Sequence, residues 1–203
     1  MNISKKNCRI CKNKKLKFVI DFGNQHVSHF TKTIENSKEV DKASLKLGIC
    51  INCKTVQLFE TYSQKKMYEK YWYISGINEI MIKELSSIVD NAKEYVQLKK
   101  NDFVLDIASN DGTLLKSYKE KKIKKIGIDP TIKKFRKNYN NSDLLGYADF
   151  FNKKNFLKLS RGKKAKIITS IAVFYDIPQP NKFVEDIKNI LKEDGIWVLE
   201  QSY

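Results

Sequence analysis

All four cysteines of the chain lie in its first 53 residues, as two identical pairs, Cys8-x-x-Cys11 and Cys50-x-x-Cys53. A thiolate is a soft ligand, and a two-residue spacer lets one tight turn present both sulfurs to a single ion. Two such pairs are the donor set of a closed tetrahedral zinc site. Four thiolates leave no open position for water or substrate, so a metal held there has a structural role. Redox dithiols or buried free thiols are the competing readings. The 38-residue gap between the pairs exceeds a compact zinc ribbon and requires an inserted hairpin or loop. His26 and His29 fall inside that gap, where either could replace a cysteine, and they read as ordinary loop residues.

A second stretch, "VLDIASNDGTLL" over 104–115, reads as an apolar strand, a turn and a helix, the layout of a nucleotide-binding α/β loop. Asp106 closes the strand, and Asp129, 23 residues further on, closes the next one. An acid about twenty residues beyond such a loop suits a ribose diol, because a carboxylate accepts both hydroxyl hydrogens. That much admits NAD, FAD or S-adenosylmethionine equally.

The loop residues separate them. A dinucleotide needs glycines so that backbone N–H groups reach its pyrophosphate. Here Ala108 and Asn110 occupy the glycine positions, Gly112 is the single glycine, and Asp111 sets negative charge against negative charge. At an effective dielectric near 20, two like charges about 4 Å apart repel by roughly 4 kcal/mol. S-adenosylmethionine carries a sulfonium and an ammonium instead, and an acidic turn suits both. Asn110 is among the few residues that adopt the left-handed conformation glycine usually supplies. The residues therefore favour a methyl donor over a dinucleotide, with a purely structural β-α turn as the remaining alternative.

Asp149 and Phe150, at the end of the third strand, are candidates to meet an adenine, although Phe150 and Phe151 read equally as core. Ser170 to Phe174 leave the fourth strand at the carboxyl edge where open α/β sheets bind ligands, with Tyr175 and Asp176 close by. No Ser-His-Asp set, phosphate-binding Walker loop or metalloprotease helix occurs.

The elements that must position these residues fall into three stretches. Residues 1–60 read as a small metal-held module with strand candidates "LKFVIDFG" and "TVQLFETY", one after each knuckle. Its core is too small to stand alone, and the metal supplies the missing stability. Residues 61–100 form an aromatic connector, with Tyr62, Tyr68, Tyr71, Trp72 and Tyr73, followed by a helix with Ile77, Met81, Leu85, Ile88, Ala92 and Tyr95 as its apolar stripe. Residues 101–203 alternate strand and helix: "FVLDIA", "TLLKSYKEKK", "KIGID", "TIKKFRKNY", "LLGYADFF", "AKIITSIAVF", "NKFVEDIKNILKEDG" and "IWVLEQSY". Gly195 sits where a helix C-cap wants positive φ. Short β-α links imply a parallel sheet covered by helices and joined by right-handed crossovers.

The net charge is +16, from 39 Lys and Arg against 23 Asp and Glu. The lysines are scattered over nearly every segment rather than gathered on one stripe, so a nucleic-acid partner is disfavoured and an anionic small substrate fits equally well. No run of 18 apolar residues and no signal-peptide centre occurs, so no membrane partner and a cytoplasmic location are expected.

In their order along the chain, "CRICKNKKLKFVIDFGNQ", "ICINCKTVQL", "YEKYWYISG", "VLDIASNDGTLL", "GIDPT", "YADFF" and "LKEDGIWVLEQSY" resemble the sugar C-methyltransferases of deoxysugar biosynthesis. That family pairs an N-terminal zinc module with a class I, Rossmann-like methyltransferase domain. The resemblance implies zinc on Cys8, Cys11, Cys50 and Cys53. It implies S-adenosylmethionine over Ser109, Asn110, Asp111 and Gly112, with Asp129 on the ribose and Asp149 near the adenine; Asp106, Ala108, Pro130, Phe150 and Ser170 complete the candidate set for the cofactor. A nucleotide-linked sugar is the implied substrate, with an RNA methyltransferase or a non-catalytic donor-binding fragment as alternatives.

Two departures from the family stand out. The connector carries Gly76 where the family has a serine. The family also continues past "IWVLEQSY" into a Tyr/His-rich stretch that supplies the base, and five strands are read here against seven in a class I sheet. The expectation is a sheet incomplete at its C-terminal edge, with a partner chain or further domain completing it. No histidine lies in the cofactor domain, and no catalytic residue is assigned.

Overall fold

The computed structural model describes residues 3–4, 7–27, 40–69, 71–139 and 142–201; His29 and the last two residues of "IWVLEQSY" lie outside them. The chain divides into two compact units, residues 1–72 with 178–181, and residues 73–177 with 182–203.

The first unit contains a short β1 (Ile3–Ser4), a long hairpin of β2 (Leu16–His26) and β3 (Lys42–Cys50), then β4 (Val56–Leu58), β5 (Glu60–Thr61) and a one-turn helix α1 (Gln64–Tyr68). β2, β3 and β4 form an antiparallel sheet in that order, and β1 pairs with β5. The hairpin is the insertion that the spacing of the cysteine pairs requires. Gly48 in β3 is a packing glycine: a β-carbon there would meet the Phe59 ring at 2.6 Å.

The second unit opens with α2 (Glu79–Tyr95), whose cap is Asn78, with Oδ1 accepting from the Ile80 and Met81 N–H groups. Leu85, Ile88 and Ala92 of the expected stripe are buried, and so is Val89. The two ends of the stripe are not. Ile77, which lies before the helix in a 3-10 turn (Ser75–Ile77), and Tyr95, its last residue, are 75% and 79% exposed.

Five strands follow: β6 (Phe103–Ile107), β7 (Lys124–Ile128), β8 (Leu144–Tyr147), β9 (Ala165–Ile171) and β10 (Leu191–Glu200). They form one parallel sheet in the order β10-β9-β6-β7-β8. The strand order reverses at β6, so the loop leaving β6 sits at the switch point where open α/β sheets place a ligand. Alternate strand residues feed two cores. Val104 and Ile167 join Leu114, Leu115, Val89 and Ile132 on one face, and Leu105, Ile128 and Ile168 join Phe156, Phe183 and Ile187 on the other. The helices α3 (Thr113–Ser117), α4 (Lys153–Leu159) and α5 (Pro180–Ile190) lie between the strands in the chain.

Three expectations need correction. The helix expected over "TLLKSYKEKK" ends at Ser117. The one over "TIKKFRKNY" is two 3-10 turns, Pro130–Lys133 and Arg136–Tyr139. The last helix stops at Ile190, and Gly195 is not a left-handed C-cap. Gly195 lies in β10, where a β-carbon would come within 2.7 Å of the Lys166 carbonyl, so close approach rather than φ explains the glycine. No helix among the described residues is long and apolar enough to cross a membrane.

Candidate functional site

The two cysteine knuckles are built alike. Cys8 N–H donates to the Asn13 carbonyl (2.8 Å) and Lys12 N–H to the Cys8 carbonyl (3.1 Å). Cys50 N–H donates to the Thr55 carbonyl (2.9 Å) and Lys54 N–H to the Cys50 carbonyl (3.0 Å). Lys12 and Lys54, each just after the second cysteine of its pair, both have φ of 62°. These turns bring all four sulfurs within 4.8 Å of one another, with Cys8 to Cys53 and Cys11 to Cys50 both at 3.5 Å. A tetrahedron with metal–sulfur bonds of about 2.3 Å has sulfurs about 3.8 Å apart. The four thiolates therefore fit a zinc ion. Burial pushes the Cys8 thiol up to about 11, while hydrogen bonding to Thr55 lowers Cys53 to about 6. A bound cation holds both as thiolates. His26 is an exposed strand residue at the end of β2 and stands outside this cluster.

A second cluster surrounds the loop 108–112. Ala108, Asn110 and Gly112 all have positive φ, at 62°, 49° and 82°. Asn110 thus does what the sequence suggests, and Ala108 takes the same conformation without being a glycine. The loop's N–H groups are largely engaged by the protein. Ala108 N–H donates to the Ile128 carbonyl (2.9 Å), Asn110 N–H to Asp129 Oδ2 (3.0 Å), Gly112 N–H to the Ser109 carbonyl (2.9 Å), and Thr113 N–H to Asp111 Oδ1 (3.2 Å). A pyrophosphate needs such groups undirected and facing outward. The loop offers it little, while the buried Asp111 and Asp129 carboxylates give the region a negative potential that suits a cationic ligand, with Asp106 buried on the strand behind them.

The structure gives each acid a definite environment. Asp129 caps the 3-10 turn that begins at Pro130: Oδ1 accepts from Thr131 N–H (2.6 Å) and Oγ1, while Oδ2 takes Asn110 N–H. It stands at the end of β7 beside the loop, with Oδ2 accepting one of these hydrogen bonds and Oδ1 two. Asp106 is fully buried on β6, where Thr169 Oγ1 donates to it at 2.6 Å, and burial raises its carboxyl to about 7. Asp111 Oδ1 also accepts from Thr113 Oγ1 (2.7 Å), and Oδ2 accepts from Gly76 N–H (3.2 Å). Its carboxylate is directed at protein donors rather than into open space.

Asp149 is exposed just past β8, with Oδ1 accepting from Phe150 N–H at 2.8 Å. Phe150 is half-buried there, whereas Phe151 packs in the core against Phe183. Ser170 is fully buried, and its Oγ accepts from Trp197 Nε1 at 2.8 Å. That hydroxyl is engaged within the β9–β10 packing, while its backbone pairs with Ile107 at the end of β6, next to the loop.

Tyr139 is the residue that sequence reasoning missed. Its hydroxyl lies 2.9 Å from Ser109 Oγ and donates to the Asn110 carbonyl at 2.9 Å. Asn138 Nδ2 holds the next carbonyl, that of Asp111, at 2.8 Å. Burial raises the Tyr139 phenol, which keeps it a donor. A signal was present in the paired strand glycines Gly127 and Gly146: β-carbons there would meet the Tyr139 ring at 2.6 and 2.7 Å. A glycine inside a strand marks a close approach, and two in register mark a ring lying over both.

Comparison with known proteins agrees with this geometry. Residues 77–202 match the family model described as a methyltransferase domain, and residues 8–68 match a model proposed as a zinc binding domain. The chain belongs to the methyltransferase-domain family, and its second unit is a class I methyltransferase sheet preceded by a cysteine-bound module. The methyl donor of such a domain is S-adenosylmethionine, and the metal suited to the module is zinc. The chain is 20% identical over 210 residues to the C-methyltransferase NovU of Streptomyces niveus, covering 97% of this chain and 47% of that protein. It thus spans about half the length of the curated relative it matches. Among solved structures, the plantazolicin methyltransferase BpumL, in complex with a pentazolic desmethylPZN analog and SAH, has 20% identity. Its TM-score is 0.49, over 61% of this chain and 49% of that one. An S-adenosylmethionine-dependent methyltransferase from Clostridium acetobutylicum has 19% identity and a TM-score of 0.45, over 58% and 49%.

Proposed function

We propose that this chain supplies the zinc module and the methyl-donor site of a C-methyltransferase acting on a small, nucleotide-linked sugar. The observation that carries the donor reading is the loop after β6. The N–H groups of Ala108, Asn110 and Gly112 are taken by the protein itself, and the buried Asp111 and Asp129 carboxylates lie where a dinucleotide loop would present bare backbone. In this reading Ser109, Asn110, Asp111 and Gly112 shape the donor site, and Asp129 with Pro130 meets the ribose. Asp149 and Phe150 stand near the adenine, and Asp106 and Ala108 support the loop from the strand end. Methylation at carbon is supported by the C-methyltransferase relative that covers nearly the whole chain, and the sugar acceptor by the resemblance of the cysteine module and methyltransferase domain, in this order, to the sugar C-methyltransferases.

The donor, when bound, supplies a methyl group for in-line displacement by the acceptor. The chain's own part is to hold the donor in register beside a loop whose negative potential favours a cation over a diphosphate. Calorimetry on zinc-replete protein tests this with S-adenosylmethionine, S-adenosylhomocysteine and NAD. The first two are expected to bind and NAD to give no heat; binding of NAD in preference to both overturns the reading.

A further inference from the structure

Asn110 and Asp111, the two polar side chains that look most like donor ligands, are both turned toward a different segment of the same unit. Ser75 N–H donates to Asn110 Oδ1 at 3.1 Å, Asn110 Nδ2 donates to the Tyr73 carbonyl at 3.0 Å, and Gly76 N–H donates to Asp111 Oδ2 at 3.2 Å. Three hydrogen bonds therefore join residues 73–76 to two consecutive loop residues. The Asp111 carboxylate is held in this orientation from its other side, since Oδ1 accepts both donors of Thr113. It cannot swing toward a ligand without abandoning backbone donors while buried.

The contact also dictates the residue at position 76. A β-carbon on Gly76 would lie 2.5 Å from Asp111 Oδ2 and 2.8 Å from Thr113 Oγ1. Both atoms are fixed by the hydrogen bonds just described, so neither yields cheaply. No side chain fits there unless the segment lifts off the loop. The glycine is needed for this approach, and its φ is not in the left-handed region.

We propose that Asn110 and Asp111 are positioning residues. They latch the strap 73–76 onto the donor loop, and the strap's backbone, held in this way, forms part of the wall against which the donor binds. The proposal rests on reading 108–112 as the donor loop. It differs from a purely electrostatic role for Asp111, in which the carboxylate itself faces the cation and the strap is incidental.

The substitution Gly76→Ala separates the two, because it leaves every charge in place. The full zinc-loaded chain is compared with Gly76→Ala and Asn110→Ala by residue-resolved amide exchange and by calorimetry with S-adenosylmethionine. The latch predicts slow exchange of the residue 75 and 76 amides in the wild type. It predicts exchange at least about tenfold faster in both variants, with the β6 and α2 amides unchanged, and a donor dissociation constant raised by about tenfold. Donor binding by Gly76→Ala at wild-type affinity overturns the proposal, as does wild-type exchange at residues 75 and 76 in Asn110→Ala. If Gly76→Ala does not fold, Asn110→Ala carries the test alone. If the wild type itself fails to bind S-adenosylmethionine, the donor reading falls, and the exchange comparison still decides whether the latch exists.

Discussion

Ser109 and Tyr139 share a hydrogen bond of 2.9 Å at the loop after β6, and the tyrosine reaches it by lying over two glycines paired across adjacent strands. The loop's shape therefore depends on a residue 30 positions downstream. Tyr139→Phe removes the donor to the Asn110 carbonyl and strands a buried polar group, at a cost of about 1–3 kcal/mol. Gly146→Ala drives a methyl group into the ring and costs about 1–3 kcal/mol by overpacking. Urea unfolding of both variants checks this; wild-type midpoints for both would show that the ring is not wedged as described.

Ala108 pays a conformational cost in its left-handed φ of 62°. The left-handed region costs a residue with a β-carbon about 1–2 kcal/mol, part of which glycine returns as chain entropy in the unfolded state. Ala108→Gly is therefore expected to leave stability unchanged or raise it by up to about 1 kcal/mol, whereas the β-branched Ala108→Val lowers it by more than about 1 kcal/mol. Thermal melts of the pair decide the matter. A clear loss with glycine would show that the alanine methyl makes packing contacts that outweigh its strain.

The cysteine cluster makes a composition test possible. One zinc ion per chain is expected by elemental analysis, and cobalt substitution should give the intense thiolate charge-transfer bands of a four-sulfur site. Cys50→Ser, at a fully buried ligand, should lose the metal and unfold the module that depends on it. His26→Ala should change neither stoichiometry nor spectrum, because that side chain lies outside the cluster. A spectrum altered by His26→Ala would put a nitrogen among the ligands.

Much of this site was legible from residue types. The thiolate set, the parallel sheet and the left-handed Asn110 follow from spacing, from β-α alternation and from the few residues able to adopt unusual φ. The misreadings share a cause. Sequence patterns report local preference, while Gly195, Gly127 and Gly146 answer to neighbours brought near by the fold. Gly195 was read as a helix cap because a helical pattern preceded it, yet the Lys166 carbonyl across the sheet is what excludes a side chain. The charge of Asp111 was legible too. Its direction was not, since Gly76 N–H is a backbone donor and no side-chain pattern announces it. The partner of Ser170 Oγ was not legible either, since Trp197 lies 27 residues later on the neighbouring strand.

Asp106 gives the fold a pH dependence of definite sign. Burial, opposed in part by the Thr169 hydrogen bond and reinforced by the charge of Asp129, raises its carboxyl to about 7. In the unfolded chain the same group titrates near 3.9. Between about pH 4 and pH 7 the folded protein therefore holds a proton that the unfolded chain has released, so stability from this group falls as pH rises through that window. The penalty is complete above about pH 7 and absent below about pH 4. Asp106→Asn keeps the shape, removes the titration and stays neutral in both states. Relative to wild type, it is expected to gain stability steadily from pH 5 to pH 7.5, by about 1.4 kcal/mol for each unit of pKa displacement expressed. Subtracting the two profiles cancels the other titrating groups, including Asp102 and Asp194, whose lysine partners hold them low and which act with the opposite sign. Urea midpoints at four or five pH values suffice. Parallel profiles for wild type and variant would mean that Asp106 is ionised in the folded protein throughout, and that the loop after β6 carries about half a negative charge more at pH 7.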